Sequence, residues 1–377
     1  MTDDFLRPVG LDRTRLFRLM KERGLDALLL SSPENVFYTT GYPALPGSGN
    51  PIVYALRNQL PFFSFAGADE RITLLCWGGA WLGLEYEVDD VRPFFTREMA
   101  EEVLAELVDE QLAAGGRVGV ESTLPYAVGR LIQKRAPAAE LVVADDLLAT
   151  LRLVKTPAEV ERIRRSTRII DETLMELVSV LRLGMGRLEL IREAKYRLLK
   201  NGADGVDHVT IAFGGANPEV ALDETLAADQ IVTLDLGAIY GGYVSDNRRL
   251  VFTGEVPPRL RELHARLCRV VAALGAALRP GTAFAALHAL AVGQFAEAGL
   301  DPLFVHAGHS IGIQVDERWI LGDDETVLEP GMVLNVELYA PSDDGVLVGD
   351  EETFVVTAGE PELLGTLPVD IIERRFS

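Results

Sequence analysis

The sequence has few cysteines, a deficit of basic residues and no long apolar run. Only two cysteines, Cys76 and Cys268, occur among its 377 residues, and they lie far apart. Such a pair supports neither a disulfide framework nor a thiolate metal cluster. No uninterrupted apolar run reaches the roughly 18 residues of a membrane helix, and the start MTDDFLRPVG has no signal-peptide pattern. We therefore expect a cytoplasmic protein without a membrane partner.

The charge balance excludes a further class of partner. Asp and Glu number 57 against 36 Lys and Arg, which gives a formal net charge of −21. Nucleic acids and anionic membranes bind cationic surfaces, so neither is expected to bind here. A hydrophobic content of 48% is typical of a globular chain that buries a substantial core.

The order of predicted elements indicates two domains. Up to about residue 150, strands and helices alternate, which predicts an α/β domain. In that half we interpret NVFYTTGYP as an extended segment ending in a turn, and PIVYALR as a strand. Thr156, Pro157 and Glu159 then form a helix start with an N-cap, a proline at the first position and a glutamate at the third. Helices followed by antiparallel strands predict an α+β second domain, so we place the domains at 1–152 and 153–377.

The stretch IVTLDLGAIYGGYVSDNRRLVFT reads as two strands joined by a Gly241-Gly242 turn, with one acid in each strand. If those glycines form a two-residue loop, Asp246 opposes Gly237, and Asp235 lies on the same face as Asp246. Their backbone positions would be roughly 7–8 Å apart. Two buried carboxylates are costly unless a cation lies between them, so the pair predicts half of a metal site. The alternative is that the acids face water at the rim of a sheet.

Three further potential ligands lie in strand-like segments near the C-terminus: His309 in HAGHSIGIQV, Glu337 in GMVLNVELYAP and Glu351 in GVLVGDEETFVVT. Four carboxylates and one imidazole are hard donors, which suit Mn²⁺, Co²⁺ or Zn²⁺ better than thiophilic metals. Five ligands fit two metals better than one. Two metals about 3.5–4 Å apart acidify a water between them, so the set indicates metal-assisted hydrolysis.

The register of the last hairpin leaves one ligand open. If residues 342–345 form a four-residue loop, Glu337 opposes Asp350, and Glu351 faces away from it. A five-residue loop or a β-bulge returns Glu351 to the face of Glu337. Spacing alone does not choose among the acids of the DEE run.

The whole chain resembles the creatinase, prolidase and aminopeptidase P group of pita-bread metallopeptidases. The resemblance rests on motifs that occur in order and at suitable spacing: GLDALLLSSPENVFYTTGY, LRLVKTPAEVERIRRS, TLDLGAIYGGYVSDNRRLVF, GHSIG, GMVLNVELY and EETFVVT. It implies a creatinase-like N-terminal domain, a pita-bread catalytic domain, a homodimer and two divalent metal ions. We expect Mn²⁺ as the metal, with Zn²⁺ or Co²⁺ as alternatives.

The same resemblance implies specific roles for five residues. Asp235, Asp246, His309, Glu337 and Glu351 would be the metal ligands. Glu337 would also be the general base that takes a proton from the attacking water. Creatinase itself resembles this group without using the metal set, but here the set is complete.

Four positions depart from the family pattern. Asp316 stands where the family usually has a histidine seven residues after the metal histidine. The histidine expected between Asn217 and Glu224 is missing, Gly349 replaces an arginine, and Leu338 replaces a proline.

Three residues near the centre keep open roles. An ionised Asp316 only accepts hydrogen bonds, so it would bind a substrate ammonium group, orient another donor, or be a solvated loop acid. His306 is a catalytic or a structural candidate; in a strand it would point away from His309. His208, in DGVDHVTIAF, is a further candidate for the pocket wall.

These features lead to three hypotheses. The first is a dinuclear metallopeptidase that cleaves the bond preceding proline, as a Xaa-Pro dipeptidase or, alternatively, as an aminopeptidase P on longer peptides. The second is a hydrolase or lyase of small non-peptide compounds on the same scaffold, motivated by the missing histidines and arginine. The third is a non-catalytic pita-bread binding module, which would require broken metal ligands.

Overall fold

The computed structural model describes residues 9–48, 51–78, 86–215, 223–301, 306–342 and 345–376. The chain divides into two compact units, Met1–Arg152 and Leu153–Ser377. Within the described ranges, no helix is both long and apolar enough to cross a membrane.

In the part of the first unit that the structure describes, six helices combine with one six-stranded sheet. Its elements are α1 (Arg13–Glu22), β1 (Ala27–Leu30), α2 (Pro33–Thr40), α3 (Ile52–Leu56), β2 (Phe63–Ala66), β3 (Ile72–Trp77), β4 (Asp90–Phe94), α4 (Arg97–Leu112), β5 (Gly116–Val120), α5 (Tyr126–Arg135), β6 (Ala139–Val143) and α6 (Asp145–Leu153). The strand order is β4-β3-β2-β1-β5-β6. Strand β1 pairs antiparallel with β2 and parallel with β5, so the sheet is mixed. The α/β prediction for this half is confirmed.

Two local predictions in the first unit are wrong. The segment read as extended forms α2, because Ser32 accepts a hydrogen bond from the Asn35 N–H and Pro33 occupies the first turn. Gly41, with φ of 73°, ends that helix in the left-handed region. The segment read as the strand PIVYALR forms the short helix α3. Apolar runs this short do not distinguish a strand from a helical turn.

The second unit contains two helix pairs and two sheets. Its elements are α7 (Pro157–Val180), α8 (Arg187–Lys200), β7 (Gly205–Phe213), β8 (Ile231–Tyr240), β9 (Tyr243–Phe252), α9 (Pro258–Ala277), α10 (Phe284–Ala298), β10 (His309–Ser310), β11 (Arg318–Trp319), β12 (Val333–Pro341), β13 (Leu347–Val355), β14 (Glu362–Leu363) and β15 (Ile372–Glu373). One sheet has the order β15-β9-β8-β7 and the other β11-β10-β12-β13-β14.

Each sheet of the second unit is backed by one helix pair. Side chains of α7 and α8 share a buried core with β7 and β8, and those of α9 and α10 share a second core with β12 and β13. Strands β9 and β13 are in contact, which joins the two sheets. Helices packed on mainly antiparallel sheets confirm the α+β prediction, and the junction of the sheets brings together β8, β9, β12 and β13, each of which carries an acidic residue.

The start of α7 follows the predicted capping pattern. Thr156 accepts a hydrogen bond from the Glu159 N–H at 3.3 Å, and Glu159 accepts one from the Thr156 N–H at 2.6 Å. This reciprocal capping box satisfies two of the free donors of the first turn.

Candidate metal centre

The β8–β9 hairpin has the predicted register. Gly241 and Gly242 have φ values of 60° and 82°, as a tight two-residue turn requires. Gly237 pairs with Asp246, so Asp235 and Asp246 lie on one face of the hairpin. Both carboxylates are buried, with 6% and 7% of their surface exposed. The alternative of two acids facing water at a sheet rim is therefore wrong.

The β12–β13 hairpin settles the register that spacing left open. Pro341 pairs with Leu347, so the loop has five residues, and Glu337 pairs directly with Glu351. Neighbouring acids of the DEE run turn to the other face of the sheet. There Glu352 accepts from Arg249 at 2.7 Å. Asp350 lies instead within a buried cluster with His264 and Cys268 of α9.

Strand β10 brings His309 next to the acids of the two hairpins. Strand β10 pairs with β12, and His309 is opposite Asn335. Asp246, His309 and Glu351 place ligand atoms within 4.8 Å of one another. The Nε2 atom of His309 is 3.8 Å from Asp246 Oδ2 and 4.0 Å from Glu337 Oε2. Four of the five predicted ligands therefore converge around one imidazole edge.

A second group of possible ligand atoms lies next to the first and shares Asp246 with it. His208, Asp235 and Asp246 also offer ligand atoms within 4.8 Å of one another. The Nε2 atom of His208 lies 3.1 Å from Asp235 Oδ1 and 3.2 Å from Asp246 Oδ1. The Asp246 carboxylate thus stands between two imidazoles, with one oxygen toward each.

Two buried carboxylate oxygens of the centre, Asp246 Oδ1 and Glu351 Oε2, have no hydrogen-bond partner among the described residues. Glu351 is fully buried, and its Oε1 accepts from Asn335 Nδ2 at 2.6 Å. A buried carboxylate oxygen without a donor is costly unless a cation binds it. These oxygens and the hard donors around them fit a divalent metal ion.

The electrostatics of the acids agree with that fit. Burial, together with the charges of Asp246, Glu337 and Asp235, raises the pKa of Glu351 well above its usual value. Burial likewise raises the pKa of Glu337. Such shifts mean that the charged carboxylates are disfavoured as they stand, and a cation between them would relieve the repulsion.

Arg248 supplies positive charge at one side of the centre. It pairs with Asp235 across the hairpin and donates to that carboxylate, and its Nη2 is 3.7 Å from Glu337. Burial raises the pKa of Asp235, but Arg248 and His208 outweigh that effect and hold it below its usual range. The guanidinium also stacks on the Tyr339 ring at 4.5 Å.

Gly349 leaves the space that this guanidinium occupies. A Cβ atom at residue 349 would lie 2.6 Å from Arg248 Nη1 and 2.7 Å from Tyr339 Cδ1. Glycine at this position and arginine on the neighbouring strand are therefore sterically complementary.

Asp316 lies against His309. Its Oδ1 atom is 3.3 Å from His309 Nδ1, and its side chain is 38% exposed. Burial raises the pKa of Asp316, and His309 partly offsets that effect. Of the roles that the sequence leaves open, this contact favours the one in which Asp316 orients another group.

His306 shares an aromatic contact with the metal-ligand candidate His309. The His306 and His309 rings lie 4.2 and 5.4 Å from the Trp319 ring. His306 lies outside β10, so the expectation that it points away as a strand residue does not apply. Burial, His309 and His288 lower its pKa to about 4. It is therefore a neutral imidazole at pH 7.

Two elements of the centre could have been found in the sequence, and one could not. The pairing rule that places Asp246 opposite Gly237 also places Arg248 opposite Asp235, so a buried partner for that acid was predictable. Asn335 is likewise two residues before Glu337 and on its face. The position of His208 depends on an irregularity in β7 that no spacing rule reveals. The segment 217–222, where a family histidine is missing, lies outside the described residues.

Comparisons with known proteins define the class. The model of metallopeptidase family M24 matches residues 161–358, over half of the chain, and that of the creatinase/prolidase N-terminal domain matches residues 13–154. The chain belongs to metallopeptidase family M24. It is thus a hydrolase that depends on divalent metal, and the predicted creatinase-like and pita-bread fold is confirmed. The alternative of a non-catalytic binding module is not supported.

Individual relatives cover nearly the whole chain. The Xaa-Pro dipeptidase of Pyrococcus furiosus is 27% identical over 355 residues, covering 91% of this chain and 94% of the relative. The Xaa-Pro dipeptidase of Lactobacillus delbrueckii subsp. lactis is 28% identical and covers 89% and 92%. Among solved structures, the prolidase from Pyrococcus furiosus has a TM-score of 0.79 at 25% identity, covering 93% of this chain and 99% of that one.

Proposed function

We propose that this protein is a Xaa-Pro dipeptidase with a dinuclear centre held by Asp235, Asp246, His309, Glu337 and Glu351. The observation that carries the proposal is the pair of adjacent ligand groups that share Asp246. A carboxylate with one oxygen toward each group suits two metals a few ångströms apart. The names of the relatives supply the Xaa-Pro specificity.

The metal ions and the residues around the centre have separate chemical roles. Bound metal ions supply Lewis acidity for the scissile carbonyl and acidify the attacking water. Glu337 is the general base that takes a proton from the attacking water. Tyr339 donates a hydrogen bond to Glu337 and so fixes its orientation.

Two further residues complete the proposed site. Asp316 is a positioning residue, since its contact with His309 Nδ1 orients the ring that points Nε2 toward the metals. His306 accepts from the Gly308 N–H at Nδ1, so the neutral ring carries its proton on Nε2. We propose that this N–H donates to the substrate.

Composition and the family resemblance support proposals for the metal, the domains and the cellular setting. Mn²⁺ is the preferred metal because four of the five proposed ligands are carboxylates, which are hard oxygen donors. Residues 1–152 and 153–377 are proposed as an N-terminal domain and a catalytic domain, in line with the two compact units. The low cysteine content suits a reducing cytoplasm, and a homodimer is proposed from the family resemblance.

The decisive experiment compares matched peptides. Purified protein loaded with Mn²⁺ or Zn²⁺ is given Xaa-Pro dipeptides, tripeptides that begin with the same two residues, and Xaa-Ala dipeptides as a control. We expect cleavage of the Xaa-Pro dipeptides alone. Glu337→Gln should lower kcat by about 10²–10⁴-fold, because the base is removed while the metal-facing oxygen remains.

Two other outcomes of this experiment would change the assigned activity. Release of the first residue from tripeptides would show that the protein acts as an aminopeptidase P and not as a dipeptidase. Metal-loaded protein that leaves every peptide intact but turns over non-peptide C–N or C–S substrates would overturn the peptidase proposal.

A further inference from the structure

We propose that His208 is an additional ligand of the metal ion held by Asp235 and Asp246. The proposal rests on the dinuclear centre proposed above and assigns an imidazole to each of its two positions. Neither the spacing of the motifs nor the family ligand set includes this residue.

The backbone of β7 turns His208 toward the centre. Val206 pairs with Ala238 and Val209 with Leu236, so the register shifts between Val206 and Val209. His208 lies within that β-bulge. Bulges redirect side chains next to active sites. Here the result is that the imidazole reaches both aspartates of the neighbouring hairpin.

The distances suit a ligand that shares a metal with these acids. The Nε2 atom lies 3.1 Å from Asp235 Oδ1 and 3.2 Å from Asp246 Oδ1. Metal–ligand bonds of about 2.0–2.2 Å place two ligand atoms about 3 Å apart or slightly more. The imidazole edge and the two carboxylate oxygens thus have the mutual spacing of atoms around one cation.

The opposite ring nitrogen has the partner that metal-bound histidines need. The Nδ1 atom of His208 is 3.0 Å from Asp207 Oδ2. Ligating histidines typically donate their other N–H to a carboxylate, which fixes the tautomer and leaves a lone pair for the metal. Asp207 therefore orients His208 and directs its Nε2 lone pair at the pair of aspartates.

Gly237 leaves room for this imidazole. A Cβ atom at residue 237 would lie 2.3 Å from His208 Nδ1 and 2.6 Å from its Cε1. Any larger residue would displace the ring. Gly237 is also the residue that pairs with Asp246, so the hairpin provides both the ligand and the space for its neighbour.

Asp246 then divides the centre into two similar halves. Its Oδ1 faces His208 at 3.2 Å, and its Oδ2 faces His309 at 3.8 Å. One half combines His208 with Asp235, and the other combines His309 with Glu351. Each metal position thus receives one imidazole and at least one carboxylate of its own.

X-ray absorption on the full-length protein loaded with zinc counts the imidazoles directly. We expect two imidazoles per pair of zinc ions in the wild-type protein and one in His208→Phe. Isothermal titration with Zn²⁺ should show that Asp207→Asn weakens one of two binding steps by about 10–100-fold. His208→Phe should weaken the same step at least as much. His288→Ala, which removes a histidine outside the centre, should leave both readouts unchanged.

One imidazole per pair in the wild-type protein, with zinc affinity unaffected by either variant, would overturn the proposal. Circular dichroism checks folding, and His208→Gln and Asp207→Asn provide milder changes if His208→Phe does not fold. These readouts are independent of peptide cleavage. Two imidazoles per pair in a protein that cleaves no Xaa-Pro peptide would leave this assignment standing and reject the proposed activity, and the converse result would do the opposite.

Discussion

The second unit contains a buried ion pair between two residues that are far apart in the sequence. Lys155 and Glu317 form this pair at 2.9 Å, with side chains only 1% and 2% exposed. Glu317 also accepts from the Ile313 N–H at 3.0 Å. This pair therefore anchors the segment that carries Asp316 beside His309. A buried charge that loses its partner is much more costly than a pair that is removed together.

Lys155→Met should lower the free energy of unfolding by about 3–5 kcal/mol, because Glu317 is left buried without its cation. Urea denaturation measures this change. The double variant Lys155→Met/Glu317→Leu should recover part of the loss. Arg18→Met, in an exposed pair with Glu22, should change stability by less than about 1 kcal/mol. Equal effects at the buried and exposed sites would contradict the structure.

Gly349 provides a second test at the scale of one residue. Gly349→Ala would place a methyl group 2.6 Å from Arg248 Nη1, so the guanidinium must leave Asp235 or Glu337. Small displacements in an active site can cost about 100-fold in rate, and we expect a loss of kcat/KM of that order. Gly293→Ala is the control, since its Cβ would meet no atom within 4 Å. A fully active Gly349→Ala protein would remove the role assigned to Arg248.

The length of each turn determines which side chains of the two hairpins in the second unit face the metal centre. The two-residue turn of β8–β9 was predictable from Gly241-Gly242, and with it the facing of Asp235 and Asp246. The five-residue loop of β12–β13 was not, because a loop one residue shorter places Asp350 opposite Glu337, and one residue longer places Glu352 there. In the first unit, α2 was missed although Ser32, Pro33 and Glu34 form a regular helix start. The interpretation of NVFYTTGYP as an extended segment did not take that capping signal into account.

The capping box of α7 gives a prediction for one element. Thr156→Ala should lower the free energy of unfolding by about 1 kcal/mol, because the Glu159 N–H loses its acceptor. Thermal or chemical denaturation detects this. Thr150→Ala in α6 is a matched control, since its hydroxyl donates to the Asp146 carbonyl one turn earlier and caps no helix N-terminus. An equal loss in both variants would show that the cap contributes nothing specific.

At the scale of the molecule, the net charge of −21 and the clustered acids of the centre act in the same direction. Both oppose compaction, and bound cations relieve both. Composition was sufficient to predict the acidic character, and ordered motifs were sufficient for the two-domain class. The place of Arg248 beside Asp235 was predictable from strand pairing, whereas that of His208 was not, because it reaches the centre through a β-bulge.

Removal of metal with a chelator should therefore lower the melting temperature of the whole protein. A ligand that is present at 100 times its dissociation constant stabilises the folded state by about 2.7 kcal/mol. Differential scanning calorimetry with and without chelator measures the shift, and added Mn²⁺ should reverse it. Asp246→Asn should show a much smaller metal-dependent shift. An unchanged melting temperature in the wild-type protein would argue against metal at the buried acids.

Because of Arg248, the two halves of the centre differ in the charge that surrounds them. The Arg248 guanidinium donates to Asp235 and lies 3.7 Å from Glu337. A cation arriving beside Asp235 meets a resident positive charge, whereas one arriving beside Glu351 meets an oxygen without a donor among the described residues. The positions should consequently fill in a fixed order, the Glu351 side first. Protein prepared with a single equivalent of metal would then be one defined species, not a mixture.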